Sequence, residues 1–158
     1  MATIHWLGTG LSALPGLRSL IGGGYSVVVY NRTVEKATKA LSAVEGDYQI
    51  VEFSLETIEQ RVKAGDVVVS MLPGDFHVPV AKLCLSLGAH FVSSSYISPE
   101  MQDLHENALK QNLCFINEVG LDPGIDHSMS HALVADYKSS SAFSVDNNHS
   151  FISYCGGL

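Results

Sequence analysis

The sequence predicts a doubly wound α/β domain built on a parallel sheet. Three observations favour this fold class. Short apolar runs alternate with helical segments, the runs are rich in β-branched residues, and the glycine-rich turn GTGLSA directly follows the first run. Hydrophobic residues make up 46% of the 158 residues and charged residues only 16%, a balance typical of strands that are buried on both faces.

The predicted elements follow one another in a regular order. Strands are predicted over 3–8, 25–31, 48–53, 66–72, 89–94 and 113–117 because these runs are apolar and bounded by Gly, Asp or Asn. Helices are predicted between them, over 11–22, 33–43, 55–64, 76–87 and 99–111. After 124 the alternation stops. One more helix is expected over 124–138, and the run SFISYCGGL, 150–158, indicates a final strand.

Charge and cysteine content exclude several classes of function. The net charge of −7 provides no basic field for nucleic acid or an anionic membrane. The N-terminus has no signal-peptide pattern, and no apolar run is long enough to span a membrane. Cys84, Cys114 and Cys155 lie far apart without a C-x-x-C pair, which fits reduced thiols and a cytoplasmic location.

The turn GTGLSA, Gly8 to Ala13, has the G-x-G-x-x-A spacing of dinucleotide-binding domains. In that motif Gly8 forms the tight turn, Gly10 lets a pyrophosphate approach the backbone, and Ala13 allows close packing of helix and sheet. The N–H groups at the start of the helix attract the phosphates. The motif therefore predicts a Rossmann-type domain.

The end of the second predicted strand indicates which dinucleotide is bound. NAD-binding domains usually place Asp or Glu there to accept from the ribose 2′-hydroxyl. Here the residues are Asn31, Arg32 and Thr33, and an arginine suits a 2′-phosphate. We therefore predict NADP as the cofactor. The alternative is that Arg32 is a solvated side chain in a helix-initiating turn.

Two further loops follow predicted strands and should lie at the same edge of the sheet. In SMLPGDFH, His77 is interpreted as a residue at the helix start or the cofactor edge rather than as a catalyst. In VSSSYISP, Ser95 and Tyr96 offer hydroxyl groups to a cleft. Ser98 and Pro99 are expected to cap the next helix.

The stretch NEVGLDPGIDH, 117–127, has more polar groups than a turn needs. Asp122 could be the N-cap of the next helix with Pro123 at its first position, or it could contact a ligand. Asp126 suits the first turn of that helix. A metal site formed by Asp126, His127 and His131 lacks a further ligand at a suitable spacing, so we predict no metal.

Together, NEVGLDPGIDH, SSSYISP and FISYCGGL resemble the NADP-dependent, L-glutamate-forming saccharopine dehydrogenases. The resemblance implies oxidation of saccharopine to an imine, which hydrolyses to L-glutamate and 2-aminoadipate semialdehyde in lysine metabolism. It implies a catalytic role for Tyr96, Asp122 and Cys155, and substrate contacts from Ser95, Tyr96 and Asp122. It implies cofactor contacts from Gly8, Thr9, Gly10, Leu11, Ser12, Asn31, Arg32, Thr33, Glu52, Phe53, Leu72, Ser94, Ser95, Leu121, Asp122 and Pro123.

The resemblance also implies a domain organisation. Members of this family continue well beyond CGGL, so the chain is expected to be truncated before the substrate domain. Residues 1–124 would form the NADP-binding domain, and residues 125–158 the connecting helix and first strand of the substrate domain. An apolar edge exposed in this way favours a homodimer. Two alternatives remain: an imine reductase similar to carboxynorspermidine dehydrogenase, or a non-catalytic domain that senses NADP.

Overall fold

The computed structural model describes residues 2–154. Its centre is a single six-stranded sheet in which every strand pair is parallel, in the order β3-β2-β1-β4-β5-β6. The strands are Ile4–Leu7 (β1), Val27–Asn31 (β2), Tyr48–Glu52 (β3), Val67–Ser70 (β4), His90–Ser93 (β5) and Phe115–Ile116 (β6). The strand order reverses at β1, the arrangement that creates a ligand crevice at the carboxyl ends of the strands.

In the part of the chain that the structure describes, seven α-helices connect or follow these strands. They are Leu14–Gly22 (α1), Val34–Leu41 (α2), Leu55–Arg61 (α3), His77–Leu87 (α4), Pro99–Gln102 (α5), His105–Lys110 (α6) and Ile125–Ser139 (α7). The predicted doubly wound architecture is confirmed. The single helix predicted over 99–111 is wrong, because two short helices, α5 and α6, occupy this range.

Apolar cores on both faces explain why the strands read as nearly continuous apolar runs. On one face, Trp6 and Val29 pack with residues of α1 and α2 such as Leu17 and Leu41. On the other face the core includes Leu7, Tyr30 and Phe91 together with residues of α3, α4 and α5. Alternate residues of each strand therefore contact opposite layers of helices.

The C-terminal part of the described chain differs from the sequence prediction. Residues 150–154 form no strand, and 155–158 lie outside the described residues. The six strands among the described residues all lie before residue 117, and none of them pairs with residues 150–154. Within residues 2–154, no helix has the length and apolar character needed to cross a membrane.

A buried polar network links β1, β2 and the start of β4. His5 Nδ1 lies 2.8 Å from the Tyr30 hydroxyl, and His5 Nε2 lies 3.2 Å from Asp66 Oδ2. Burial lowers the pKa of His5 below its usual 6.5, more than the Asp66 hydrogen bond raises it. Burial also opposes ionisation of Asp66, but backbone N–H groups of Thr3 and Lys63 leave its pKa below the usual value.

This network predicts that stability falls as the pH is lowered below about 6.5. In that range the unfolded chain binds a proton at His5 that the folded chain does not, so acid favours unfolding. One proton of difference gives at most about 1.4 kcal/mol per pH unit. We expect the urea midpoint to fall between neutral and mildly acidic pH, and His5→Gln to reduce that fall.

His105→Gln makes the same chemical change at an exposed position on α6 and is the matched control. A His5→Gln variant with the same pH dependence as wild type would show that His5 is not the group responsible.

Candidate dinucleotide and substrate site

The phosphate turn lies between β1 and α1, and its glycines have distinct roles. Gly8 has a φ of +98°, and a side-chain carbon there would lie 2.9 Å from the Met71 carbonyl oxygen, so only glycine fits without strain. A carbon added at Gly10 would meet no atom within 4 Å. Gly10 therefore leaves open space beside the exposed turn, as a pyrophosphate needs.

Helix α1 begins later than the sequence predicted. It starts at Leu14 rather than at residue 11, so Leu11 and Ser12 lie in the exposed turn. Ala13 is 2% exposed, which confirms its predicted close packing between helix and sheet. The helix starts at the carboxyl edge of the sheet, where all six strands end, and the N–H groups of Ala13 and Leu14 donate to the Gly10 carbonyl oxygen at 3.1 and 3.2 Å.

Side-chain hydrogen bonds connect the phosphate turn to the end of β2. The Thr9 hydroxyl donates to Asn31 Oδ1 at 3.0 Å, and Asn31 Nδ2 donates to the Thr33 carbonyl oxygen at 2.7 Å. The side-chain amide of Asn31 therefore links the phosphate turn at Thr9 to the loop at Thr33. Arg32 is exposed beside it, which leaves the guanidinium accessible to an anion from solvent.

The end of β3 lies next to this group. Asn31 and Glu52 are opposite each other in the sheet, and the Phe53 N–H donates to the Asn31 carbonyl oxygen at 3.2 Å. Glu52 is exposed and Phe53 is partly buried. The structure thus places Glu52 and Phe53 beside Asn31 and Arg32, and the resemblance implies cofactor contacts for all four residues.

The loop after β4 is fixed by a buried histidine. His77 is 4% exposed, and its Nδ1 lies 3.0 Å from the hydroxyl oxygen of Ser70. Burial lowers the pKa of His77, partly offset by a hydrogen bond with the Leu72 backbone. His77 is therefore neutral at pH 7 and anchors the loop that carries Leu72, in agreement with its interpretation as a residue at the helix start.

The loops after β5 and β6 are hydrogen-bonded to each other. Glu118 N–H donates to the Ser95 carbonyl oxygen at 3.1 Å, and Glu118 Oε1 accepts from the Ile97 N–H at 3.2 Å. The Ser93 hydroxyl donates to Asn117 Oδ1 at 3.1 Å. Glu118 also has a φ of +62°, rare for a residue other than glycine. These contacts hold both loops in one arrangement.

The hydrogen-bonded loops after β5 and β6 bring Tyr96 and Asp122 into direct contact. The Tyr96 hydroxyl donates to Asp122 Oδ1 at 2.5 Å, although the two residues are 26 positions apart in the sequence. Tyr96 is 66% exposed, so this pair lies at the surface of the carboxyl edge. A carboxylate and a phenol in contact can accept and pass on a proton.

Asp122 is not the cap of α7. The helix begins at Ile125 with Gly124 as its N-cap, which excludes the alternative in which Asp122 is the N-cap and Pro123 the first helical residue. Asp126 lies in the first turn, as predicted, and its Oδ1 accepts from the Gly124 N–H at 2.8 Å. Asp126 therefore satisfies the helix start, and Asp122 remains at the surface with Tyr96.

A cleft of about 610 Å³ opens beside α1. Its walls combine apolar side chains such as Trp6 and Met71 with four residues predicted for the site. These four are Ser12, Ser94, Leu121 and Asp122. Asn31, Arg32, Glu52 and Phe53 lie at the ends of β2 and β3 and do not line this cleft.

Some predicted residues carry less structural information. Ser95 and Pro123 are partly buried in the hydrogen-bonded loops after β5 and β6. Cys155 lies outside the described residues, so its predicted role stays a prediction. His127 Nε2 lies 3.2 Å from His131 Nε2, yet residues 2–154 contain no group of three or more potential ligands that could hold a metal.

Sequence reasoning missed the structural roles of Ser93, Asn117 and Glu118. The signal was present, because polar residues directly follow two apolar strands that end at the same edge. Their partners are more than twenty positions away, and a local pattern does not identify such pairs. The positive φ of Glu118 was also not predictable from its residue type.

The chain resembles known proteins in sequence and in fold. The sequence model of the family described as "Saccharopine dehydrogenase NADP binding domain" matches residues 4–116. A saccharopine dehydrogenase [NADP(+), L-glutamate-forming] from Pyricularia oryzae is 34% identical over all of this chain and 35% of its own length. An alpha-aminoadipic semialdehyde synthase from Arabidopsis thaliana is 37% identical over 82% of this chain and 12% of its own length.

Among solved structures, the apo saccharopine dehydrogenase (L-Glu forming) from Saccharomyces cerevisiae superposes with a TM-score of 0.74 at 27% identity. The match covers 86% of this chain and 31% of that one. The chain thus spans about a third of the length of its saccharopine dehydrogenase relatives. On the strength of the match over residues 4–116, the chain belongs to the saccharopine dehydrogenase NADP-binding domain family.

Proposed function

We propose that this chain is the NADP-binding part of an oxidoreductase that acts on the C–N bond of saccharopine and gives L-glutamate and 2-aminoadipate semialdehyde. One observation carries the proposal: the phosphate turn, Arg32 and the Tyr96–Asp122 pair all lie at the carboxyl edge of one parallel sheet. The names of the relatives support the choice of substrate.

In this proposal, one end of the carboxyl edge binds the cofactor phosphates and the other end binds the substrate. The turn at Gly8 to Gly10 receives the pyrophosphate through backbone N–H groups, and Arg32 pairs with the adenosine 2′-phosphate. A bound nicotinamide would supply the acceptor for a hydride from the substrate carbon. The protein's task at that end is to position the substrate and to manage its protons.

Tyr96 and Asp122 perform the proton steps in this proposal. Removal of a hydride from the carbon beside the secondary amine requires that amine to be unprotonated, and hydrolysis of the resulting imine requires further proton transfers. The Asp122 carboxylate takes a proton from the amine, and the Tyr96 hydroxyl bonded to it orients the carboxylate and relays the proton.

Recognition of the substrate carboxylates needs more than these loops. The segments 93–97 and 117–122 contain Glu118 and Asp122 but no lysine or arginine. Each charge-assisted contact is worth roughly 1.5–3 kcal/mol, so a site without two or three of them loses several powers of ten in affinity. We therefore propose that the 158-residue chain binds cofactor without oxidising saccharopine.

The test compares this chain with a protein that carries the same domain at the full length of its relatives. The expected result is saccharopine-dependent formation of NADPH by the long protein, and NADPH binding without turnover by the short chain. Robust saccharopine oxidation by the short chain would contradict the proposal that this chain binds cofactor without turnover. Oxidation of carboxynorspermidine in place of saccharopine would contradict the proposed substrate.

The cytoplasmic location and the homodimer stay predictions. Apolar side chains of α7, such as Met129 (65% exposed) and Leu133 (59%), are exposed, which indicates that another surface covers this helix. We propose that this surface belongs to a second copy of the chain.

A further inference from the structure

Phe76 is a large apolar side chain held in an exposed position at the carboxyl edge. It lies in the short 3₁₀ turn Gly74–Phe76, between β4 and α4, and is 42% exposed. Its ring contacts Phe53 edge to face, with the ring centroids 5.6 Å apart and the planes at 83°.

The turn that carries Phe76 is held from both sides. The Phe76 N–H donates to the Pro73 carbonyl oxygen at 3.0 Å. The next residue, His77, is buried and hydrogen-bonded to Ser70 at the end of β4. An exposed ring on a fixed backbone loses little conformational freedom when a planar ligand contacts it.

The position of the ring pair along the edge indicates which part of a ligand it meets. Phe53 follows β3 and bonds through its N–H to the Asn31 backbone, next to Arg32. Phe76 follows β4, and the sheet order places β2 and β1 between these two strands. The pair therefore bridges the edge beside the phosphate turn, on the side of Arg32.

We propose that Phe76, braced by Phe53, forms the wall against which the adenine of the cofactor packs. The inference rests on the proposed binding of NADP and adds the residue that recognises the base. Nucleobases stack on aromatic side chains without needing hydrogen bonds. An aromatic wall next to Arg32 selects ligands that combine a purine with a 2′-phosphate.

The test measures binding to the 158-residue chain by calorimetry with three probes: NADPH, adenosine 2′,5′-bisphosphate and nicotinamide mononucleotide. Phe76→Ala should weaken the two adenine-containing probes by roughly tenfold or more. It should leave the affinity for nicotinamide mononucleotide unchanged. Phe76→Trp keeps an aromatic face and should retain binding, whereas Phe76→Leu keeps apolar bulk and should not.

Phe151→Ala is the matched control, since Phe151 is a phenylalanine of similar exposure, 51%. Thermal unfolding of each variant reports whether it is folded, and Phe76→Leu serves if Phe76→Ala does not fold. Wild-type affinity of folded Phe76→Ala or Phe76→Leu for adenosine 2′,5′-bisphosphate would overturn this inference alone. Failure of the wild-type chain to bind NADPH would overturn the proposed function and this inference with it.

Discussion

Replacement of Asp122 by asparagine is expected to slow saccharopine oxidation by roughly 10²- to 10⁴-fold in a protein that carries this domain at full length. Asparagine keeps the size of the side chain and can still accept the hydrogen bond from the Tyr96 hydroxyl, which donates to Asp122 at 2.5 Å. It cannot take a proton from the substrate amine. The loss should therefore appear in turnover and in the shape of the pH–rate profile.

Asp126→Asn provides the matched control for this substitution. Asp126 accepts from the Gly124 N–H at the start of α7, and the amide oxygen of asparagine can accept the same hydrogen bond. That variant should keep turnover close to wild type. If Asp122→Asn also kept turnover and an unchanged pH profile, Asp122 would be a structural residue of the loop.

Replacement of Arg32 by alanine should weaken NADPH binding by roughly 10- to 150-fold, the equivalent of about 1.5–3 kcal/mol for a charge-assisted pair. Arg32 is exposed at the end of β2, where NAD-binding domains carry an acid. NADH lacks the 2′-phosphate, so its affinity should not fall. The measurement is a titration of both cofactors by fluorescence.

Arg61→Ala is the control for the removal of a positive charge. Arg61 ends α3, at the amino edge of the sheet, and its guanidinium lies 3.4 Å from the side-chain oxygen of Gln49. It should bind both cofactors as wild type does. Equal losses for NADPH and NADH in Arg32→Ala would indicate that Arg32 supports the fold of the turn and does not contact the 2′-phosphate.

The fold was largely predictable because buried parallel strands have a strong local signature. Val67–Ser70 and Val27–Asn31 are β-branched runs bounded by turn residues, and both lie inside the predicted strands. The break between α5 and α6 was not predictable. Met101, Leu104 and Ala108 are all buried at helical spacing, so the apolar pattern runs through the break without interruption.

The strand expected at 150–154 illustrates the opposite error. The alternation in SFISY satisfies the local pattern of a strand, but a strand also requires a neighbour with which to pair its backbone, and residues 150–154 have none among the described strands. An alternating apolar pattern predicts which face of a strand would be buried. It does not predict whether the segment pairs with a neighbouring strand.

The candidate site was predictable where a motif fixes the backbone. Gly8 has the positive φ that the phosphate turn requires, and Ala13 packs as expected. The resemblance to saccharopine dehydrogenases and the choice of NADP are confirmed by the family match. The roles of Glu118 and Phe76 depend on contacts between distant loops, so they required the structure.

The most direct test of the central claim is a titration of the 158-residue chain with NADPH and with NADH at the same ionic strength, which must be fixed because salt screens exposed charges. In the proposed binding mode, this domain holds NADP(H) through the 2′-phosphate of the cofactor at the carboxyl edge of the sheet. We therefore expect NADPH to bind roughly tenfold or more tightly than NADH. Equal affinities, or tighter binding of NADH, would contradict this binding mode.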